Sequence, residues 1–213
     1  KIYQELIKIK AMFLVPIEGL SKQLEKKGIK SFVIPDGIDN ISNIEPFNKH
    51  NNKINILWNG HSSNINSLLR IISNELVDYN YNLHIVSNLN SFEILKEVKL
   101  KNKPKCKLIG HIWSIKKLQN VSKKCDLAIL PSDKKWASAN RLVTYFRLGL
   151  PVIAETINSY EPYSKYYCGF EKNSISEIFK SQEKWFDLVR QAQQQTQVDF
   201  SKDRLLGLWK ELF

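Results

Sequence analysis

Short β-branched runs alternate with runs of helical period between residues 52 and 172, and this alternation restricts the possible folds more than any other feature. Strands are predicted at 55–58, 83–86, 107–109, 126–130 and 151–154, and helices between them at 65–76, 92–98, 114–124 and 140–148. Strands joined by single helices form parallel βαβ units, and right-handed crossovers place helices on both faces of the sheet. The sequence therefore predicts an α/β fold with a doubly wound, Rossmann-like parallel sheet, in which Gly110 closes the third strand.

The two ends of the chain indicate smaller units around this domain. Residues 1–39 show a strand–helix–strand pattern, which predicts a partial remnant of a preceding α/β domain. We assign the polar, asparagine-rich residues 40–52 as a linker, 53–200 as the Rossmann-like domain, and 201–213 as a C-terminal helix that packs back. One helix is expected over 175–194 and another over 203–212. Because the pattern starts in the middle of a unit, we expect the chain to be a fragment of a longer protein.

Composition and cysteine spacing limit the cellular locations that are expected for the protein. No apolar run approaches the roughly 18 residues that a membrane-spanning helix needs, and no charged-then-apolar leader opens the chain. The three cysteines, Cys106, Cys125 and Cys168, are widely spaced and form neither a Cys-x-x-Cys pair nor an even set. The sequence therefore indicates no disulfide framework and no zinc site, and we expect a cytoplasmic location.

The chain carries a net charge of +11 and has a pI near 9.5. The lysines look scattered along the sequence, so no specific nucleic-acid partner is expected. The charge fits a general richness in Lys, Asn and Ile, and among partners a peripheral contact with an acidic membrane surface is favoured over nucleic acid. A basic nucleic-acid-binding domain remains a third hypothesis, which requires a continuous lysine-rich face and binding that collapses with salt.

In a doubly wound sheet, ligands bind beyond the carboxyl ends of the strands, near the switch in strand order. Two of the predicted loops there lead directly into helices. Gly60-His61-Ser62-Ser63 follows the first strand, and Ser138-Ala139-Asn140 follows the fourth. Free backbone N–H groups and the helix dipole favour a phosphate at such positions. Arg141 comes next in sequence and could add a two-pronged phosphate contact.

Four short motifs occur in order between residues 32 and 154. FVIPDGID at 32–39 resembles the "v-I-P-n-G-I-D" before the second domain of GT-B glycosyltransferases, and LIGHI at 108–112 resembles their "f-x-G-x-v". CDLAILPS at 125–132 is similar to "a-D-v-x-l-x-P-S". NRLV at 140–143, followed by LGLPVIA at 148–154, is similar to "N-K-l-x-E-x-x-A-x-G-x-P-V-I-A". Together they resemble the C-terminal, donor-binding domain of GT-B glycosyltransferases of the group 1, or family 4, type.

This resemblance implies a nucleoside-diphosphate sugar in a cleft that faces the missing amino-terminal domain. Residues 137–141 would hold the diphosphate through backbone amides, and residues 110–112 would hold the base through main-chain hydrogen bonds. The expected donor-binding residues are Gly60, His61, Ser62, Gly110, His111, Ile112, Trp136, Ser138, Ala139, Asn140, Arg141 and Thr144. The resemblance implies neither a cofactor nor a bound metal, since helix dipoles and cationic side chains offset the charge of the leaving diphosphate.

The acceptor implied by the resemblance is a glycan or a lipid-linked molecule, and the absent first domain would supply most of its site and any catalytic base. We therefore assign no catalytic residue in this chain and expect the fragment alone to be inactive. Glu155 and Glu161 flank the loop after the fifth strand, where each could either contact the sugar or be solvated. His84 is expected to be a packed strand residue.

Two positions depart from the family pattern. Many retaining members carry two glutamates separated by seven residues, and this chain has Trp136 and Thr144 there. Thr144 could still donate a hydrogen bond to a ribose hydroxyl, and Trp136 could stack on a sugar or a base. An alternative function is therefore a non-catalytic, glycosyltransferase-like scaffold or sensor module.

Overall fold

The computed structural model describes residues 12–37, 41–46, 53–97, 105–134, 137–171 and 173–212. The N-terminal part forms one small unit, in which β1 (Phe13–Val15) pairs in parallel with β2 (Ser31–Val33) and α1 (Glu18–Glu25) connects the two strands. This is the strand–helix–strand order that the sequence pattern predicted. Most of the expected linker, and the first eleven residues, lie outside the described residues.

The main sheet has five strands, all of them parallel. They are β3 (Ile54–Asn59), β4 (Tyr81–Ser87), β5 (Cys106–Ile112), β6 (Leu127–Leu130) and β7 (Val152–Ala154). Their order across the sheet is β5-β4-β3-β6-β7. The chain runs outward from β3 to β5 and then returns to the other side of β3 to form β6. The predicted doubly wound parallel sheet is confirmed, and its switch point lies between β3 and β6.

Helices cover both faces of this sheet. They are α2 (Ile65–Asn74), α3 (Leu89–Glu97), α4 (Ile115–Ser122), α5 (Asn140–Arg147), α6 (Ser174–Lys180), α7 (Gln182–Asp199) and α8 (Lys202–Lys210). Side chains of α2, α3 and α6 form one apolar core with alternate strand residues such as Ile56 and Trp58. Side chains of α4, α5 and α7 form the second core with Leu57 and Ala128. Strands buried on both faces explain why their sequences are almost continuously apolar.

Helix α5 ends as the sequence predicted. Gly149 follows it with φ of +71°, a left-handed conformation that favours glycine. A Cβ at this position would lie 2.5 Å from the carbonyl oxygen of Ile44. The backbone of the segment before β3 therefore packs directly on the end of α5, where the Ile44 N–H also donates to the Arg147 carbonyl at 2.7 Å.

Two predicted elements were wrong in extent. Gly110 does not close the third strand, because β5 continues pairing with β4 as far as Ile112. Because Gly110 has no side chain, the ring of Phe92 can pack against its backbone. A Cβ at Gly110 would lie 2.7 Å from that ring. The single helix expected over 175–194 is two helices that break at Ser181, where φ is −129° and ψ is 41°. The break lets Ile175 and Trp185 reach the same core from helices of different direction.

The lysines are less scattered than the sequence indicated. Lys116, Lys117, Lys123 and Lys124 are all exposed on or just after α4, whereas Leu118 and Val121 of the same helix are buried. No helix in the described part of the chain combines the length and apolar character of a membrane span.

Candidate functional site

The carboxyl ends of three strands lie in one row at the edge of the sheet. Gly60 extends β3, and its N–H donates to the Val86 carbonyl of β4 at 3.3 Å. Val86 in turn is paired with His111 of β5. Gly60 and His111 therefore lie two strand spacings apart, about 10 Å. We call residues 60–62 with 138–141 the inner part of the site and residues 110–113 the outer part.

Gly60 is where the backbone of the inner part comes closest to its neighbours. A Cβ there would lie 2.6 Å from the buried Trp58 ring and 3.2 Å from Nη1 of Arg141. The Ser87 hydroxyl donates to the Gly60 carbonyl. Only glycine fits this position without displacing a side chain, so the main chain packs directly against Trp58 and Arg141.

The residues after Gly60 form a small polar cluster with the loop that follows β4. The Ser62 N–H donates to Oδ1 of Asn88 at 3.2 Å, and Nε2 of His61 lies 3.2 Å from the Asn88 amide nitrogen. His61 also starts a short 3₁₀ helix, in which the Ser63 N–H approaches its Nδ1 at 3.3 Å. Asn88 thus fixes the loop, and its place after a strand is the one sequence signal that points to it.

The start of α5 is the second element of the inner part. Ala139 occupies the N-cap position, no side chain caps the first turn, and that turn carries no acidic residue. Backbone N–H groups there keep their capacity for an anion. The preceding segment is anchored by the Ser159 hydroxyl, which donates to the Ala137 carbonyl at 2.6 Å, and the Asn140 amide donates to the Gly37 carbonyl at 3.4 Å.

Arg141 brings a positive charge from α5 to the end of β3. Its Nη1 donates to the Asn59 carbonyl at 3.4 Å, which holds the guanidinium beside Gly60. The Asn59 N–H donates to the buried Tyr145 hydroxyl at 2.8 Å. Residues from three separate sequence stretches, at 59–60, 141–145 and 160, therefore meet at the switch point.

Two buried polar atoms beside Arg141 have no hydrogen-bond partner among the described residues, namely Oδ1 of Asn59 and the hydroxyl of Tyr160. Burial raises the pKa of Tyr160 to about 12, an effect that the charge of Arg141 opposes. Tyr160 therefore remains a neutral hydroxyl at physiological pH. No local motif identifies Asn59, Tyr145 or Tyr160, because only the crossing of β3, α5 and the 3₁₀ helix Asn158–Tyr166 brings them together.

The outer part is built on an edge strand. Gly110, His111 and Ile112 pair with β4 on one side, and the Trp113 N–H donates to the Ser87 carbonyl at 2.9 Å. Ile112 is 53% exposed and Trp113 is 49% exposed. The outer part is therefore open, in contrast to the closely packed inner part.

His84 and His111 form a pair beneath the outer part. His84 Nδ1 lies 3.2 Å from His111 Nε2, and the rings are nearly parallel with centroids 5.4 Å apart. Burial, the neighbouring His111 and then Lys124 lower the pKa of His84 to about 4. Burial, followed by Lys117 and Lys124, also lowers the pKa of His111. His84 is buried in its strand, as predicted, and the pair is uncharged at neutral pH.

An ionic network fixes the loop after β6. Glu155 accepts hydrogen bonds from the Arg70 guanidinium and from the Ser132 N–H, the latter at 2.7 Å. Asp133 accepts from the Ser67 hydroxyl at 2.6 Å and lies 3.4 Å from Arg70. Glu155 is therefore engaged within the protein. Trp136, expected in this loop as a ligand platform, lies outside the described residues together with Lys135.

The remaining predicted residues occupy different environments. Thr144 is only 6% exposed, within α5. Ser138 and Asn140 line a cavity of about 440 Å³ between the domain and the N-terminal unit. The described residues include no group of three His, Cys, Asp or Glu side chains placed to hold a metal ion.

Comparison of the sequence with protein families and with curated proteins finds no match. Solved structures do share the fold. The pneumococcal O-GlcNAc transferase GtfA, solved with UDP and GlcNAc, has a TM-score of 0.62 at 16% identity over 99% of this chain and 46% of that protein. HepE from Anabaena, solved with UDP-glucose, has a TM-score of 0.66 at 14% identity over 95% and 64%. A glycosyltransferase from Rickettsia africae has a TM-score of 0.65 at 18% identity over 93% and 61%.

These likenesses define the class of fold. The chain has the Rossmann-like architecture of a GT-B glycosyltransferase domain, as its motifs predicted. It spans about half the length of the structures that it matches. Because a fold does not fix an activity, the function has to be argued from the site.

Proposed function

We propose that this chain is the donor-binding part of a GT-B glycosyltransferase that binds a nucleoside-diphosphate sugar. The observation that carries the proposal is the meeting of two features at the switch point: the uncapped start of α5, and the guanidinium of Arg141, which is held beside Gly60. A helix N-terminus with a cation beside it suits a diphosphate.

The outer part of the site is suited to the nucleoside half of the same ligand. Main-chain groups of residues 110–112 lie about 10 Å from Gly60 along the row of strand ends, so a nucleoside could extend from the inner to the outer part. Structures that share the fold contain UDP or UDP-glucose, which makes UDP the first nucleotide to test.

The rest of the proposed reaction concerns the whole protein. The sugar would pass to a glycan or lipid-linked acceptor, in polysaccharide biosynthesis, with the acceptor site completed by the missing amino-terminal domain. Neither a cofactor nor a metal is required, because Arg141 and the α5 N-terminus can offset the leaving charge. We place the protein in the cytoplasm with a peripheral contact to the membrane surface.

The test is thermal unfolding of the chain with UDP, GDP, ADP and CMP. A ligand at a hundred times its dissociation constant stabilises a protein by about 2.7 kcal/mol, which is a clear shift. We expect one nucleotide to stabilise the wild type and Arg141→Ala to weaken its binding by about ten- to a hundred-fold, since charged hydrogen bonds contribute about 1.5–3 kcal/mol. Arg147→Ala is the matched control, because Arg147 lies at the far end of the same helix and lines a different pocket.

Thr144 supports a second function. A buried threonine replaces one of the acidic residues of the motif, which favours a scaffold or sensor module with no transfer activity. If no nucleotide shifts a cooperative unfolding transition, or if Arg147→Ala weakens binding as much as Arg141→Ala, the donor-site proposal fails and the module becomes the better explanation.

A further inference from the structure

One stretch of the chain is basic without interruption. Residues 105–125 contain six lysines and no acidic residue. They form β5, which is the edge strand of the sheet, and α4, which packs over β3 and β4 and brings Lys117 and Lys124 near His111 of β5. The charge of this unit is therefore concentrated on one border of the domain.

Helix α4 presents its lysines outward. Lys116 and Lys123 are seven residues apart, as are Lys117 and Lys124, so each pair returns to nearly the same side after two turns. All four are exposed, whereas Leu118 and Val121 are buried against the sheet. Their charges also reach the interior, because Lys117 and Lys124 contribute to the lowered pKa of His111.

Exposed apolar side chains lie at the carboxyl ends of β4 and β5, directly before the start of α4. Leu89 is 66% exposed at the start of α3, next to the exposed Ile112 and Trp113 at the end of β5. Ser87, which is paired with Ile112 and accepts from the Trp113 N–H, brings the two chain segments together. Trp113 directly precedes the N-cap of α4 and comes three and four residues before Lys116 and Lys117.

We infer that this border, formed by Lys116, Lys117, Lys123, Leu89, Ile112 and Trp113, docks on an anionic lipid bilayer. Lysines attract acidic headgroups, and an exposed tryptophan suits the boundary between headgroups and acyl chains. The aliphatic side chains of Leu89 and Ile112 favour hydrocarbon and give no advantage on a nucleic-acid surface. This surface specifies where the membrane contact of the proposed function is made, and the inference rests on the proposed function in that respect only.

The experiment measures binding of the full chain to phosphatidylcholine vesicles with and without about one-third phosphatidylserine, without nucleotide. We expect binding only to the acidic vesicles and a loss as salt is raised, because exposed charges are screened. Each lysine near such a surface contributes about five-fold in affinity. The triple variant Lys116→Gln, Lys117→Gln, Lys123→Gln should therefore bind about a hundred-fold less tightly.

Two matched controls separate this border from the general charge of the protein. Lys27→Gln, Lys180→Gln, Lys202→Gln removes the same charge from other exposed positions and should weaken binding far less. Trp113→Ala should weaken binding about ten-fold, as expected for lost apolar burial. Trp209→Ala, at a residue of 42% exposure on α8, should leave binding nearly unchanged.

Three results would overturn the inference: equal losses in the two triple variants, equal binding to neutral vesicles, or tighter binding of the same lysines to duplex DNA than to acidic vesicles. Donor binding is measured separately, by nucleotide-induced stabilisation without vesicles. A triple variant that loses vesicle binding but keeps that stabilisation supports the docking border whatever the nature of the donor. A chain that binds vesicles but no nucleotide would contradict only the proposed function.

Discussion

The inner and outer parts of the site lie in one row of strand ends, yet they are built in different ways. Around Gly60 and Arg141, backbone and buried side chains from three elements pack closely and hold the guanidinium in place. Around Ile112, a single edge strand carries exposed apolar side chains, with a neutral histidine pair beneath it. The comparison indicates that the inner part is preorganised for one charged group, whereas the outer part tolerates change and has free surface for a second partner.

The largest effect is expected from the histidine pair under the outer part. The pKa of His84 is about 4 in the folded protein and about 6.5 when unfolded, so the unfolded chain binds the extra proton first. Above pH 6.5, the titration of His84 therefore costs the protein no stability. As the pH falls towards 4, it lowers the free energy of unfolding by about 3 kcal/mol. Urea unfolding at several pH values should show this loss, and His84→Leu should flatten the slope.

The matched control for that experiment is Ile85→Val, which removes buried packing without a titrating group and should keep the slope. A slope as steep in His84→Leu as in the wild type would show that the acid sensitivity lies elsewhere, and the outer part would lose its distinguishing feature.

The next effect compares two glycines directly. Gly60→Ala forces a Cβ against the fully buried Trp58 ring and close to Arg141, so we expect the free energy of unfolding to fall by about 2–3 kcal/mol. Gly110→Ala meets the Phe92 ring, which is only partly buried and can move, so a loss of about 1 kcal/mol is expected. Denaturant midpoints of the two variants measure the difference. Equal losses would mean that the two parts are packed with equal rigidity.

The smallest effect compares two buried tyrosines of the inner part. Tyr145→Phe leaves the Asn59 N–H without its acceptor and should cost about 1–2 kcal/mol. Tyr160→Phe removes a hydroxyl that has no partner among the described residues, so stability without ligand should change by less than about 0.5 kcal/mol. Thermal unfolding of both variants tests this. A Tyr160→Phe loss as large as that of Tyr145→Phe would show that its hydroxyl is already engaged.

The local sequence pattern predicted the helices and strands well where burial determines that pattern. The strand at 127–130 is apolar at every position because both faces of the sheet are covered, and Gly149 ends α5 because the chain must turn with positive φ there. Ser114, the first residue of the helix predicted over 114–124, caps α4 by accepting a hydrogen bond from the Lys117 N–H at 3.1 Å. The break at Ser181 was not predictable, since it depends on how two helices reach one core.

The candidate site was predictable only in outline. Strand ends in a doubly wound sheet indicated the loops after β3 and β6, because topology alone brings them together. The identity of the supporting side chains was not accessible, since Asn59, Tyr145 and Tyr160 are far apart in sequence and carry no local motif. Likewise, Glu155 could have been solvated or bound to a sugar, and only the position of Arg70 on α2 engages it within the protein.

By itself, the sequence determined the α/β class, the order of strands and helices, and the four motifs of the GT-B type, because periodicity and turn chemistry act over a few residues. The tertiary structure decided which side chains meet. It placed Arg141 beside Gly60, engaged Glu155 with Arg70, stacked His84 on His111, and gathered the α4 lysines beside an exposed tryptophan. These contacts join residues that are 27 to 85 positions apart, or depend on which face of a helix is covered, and no local pattern encodes either.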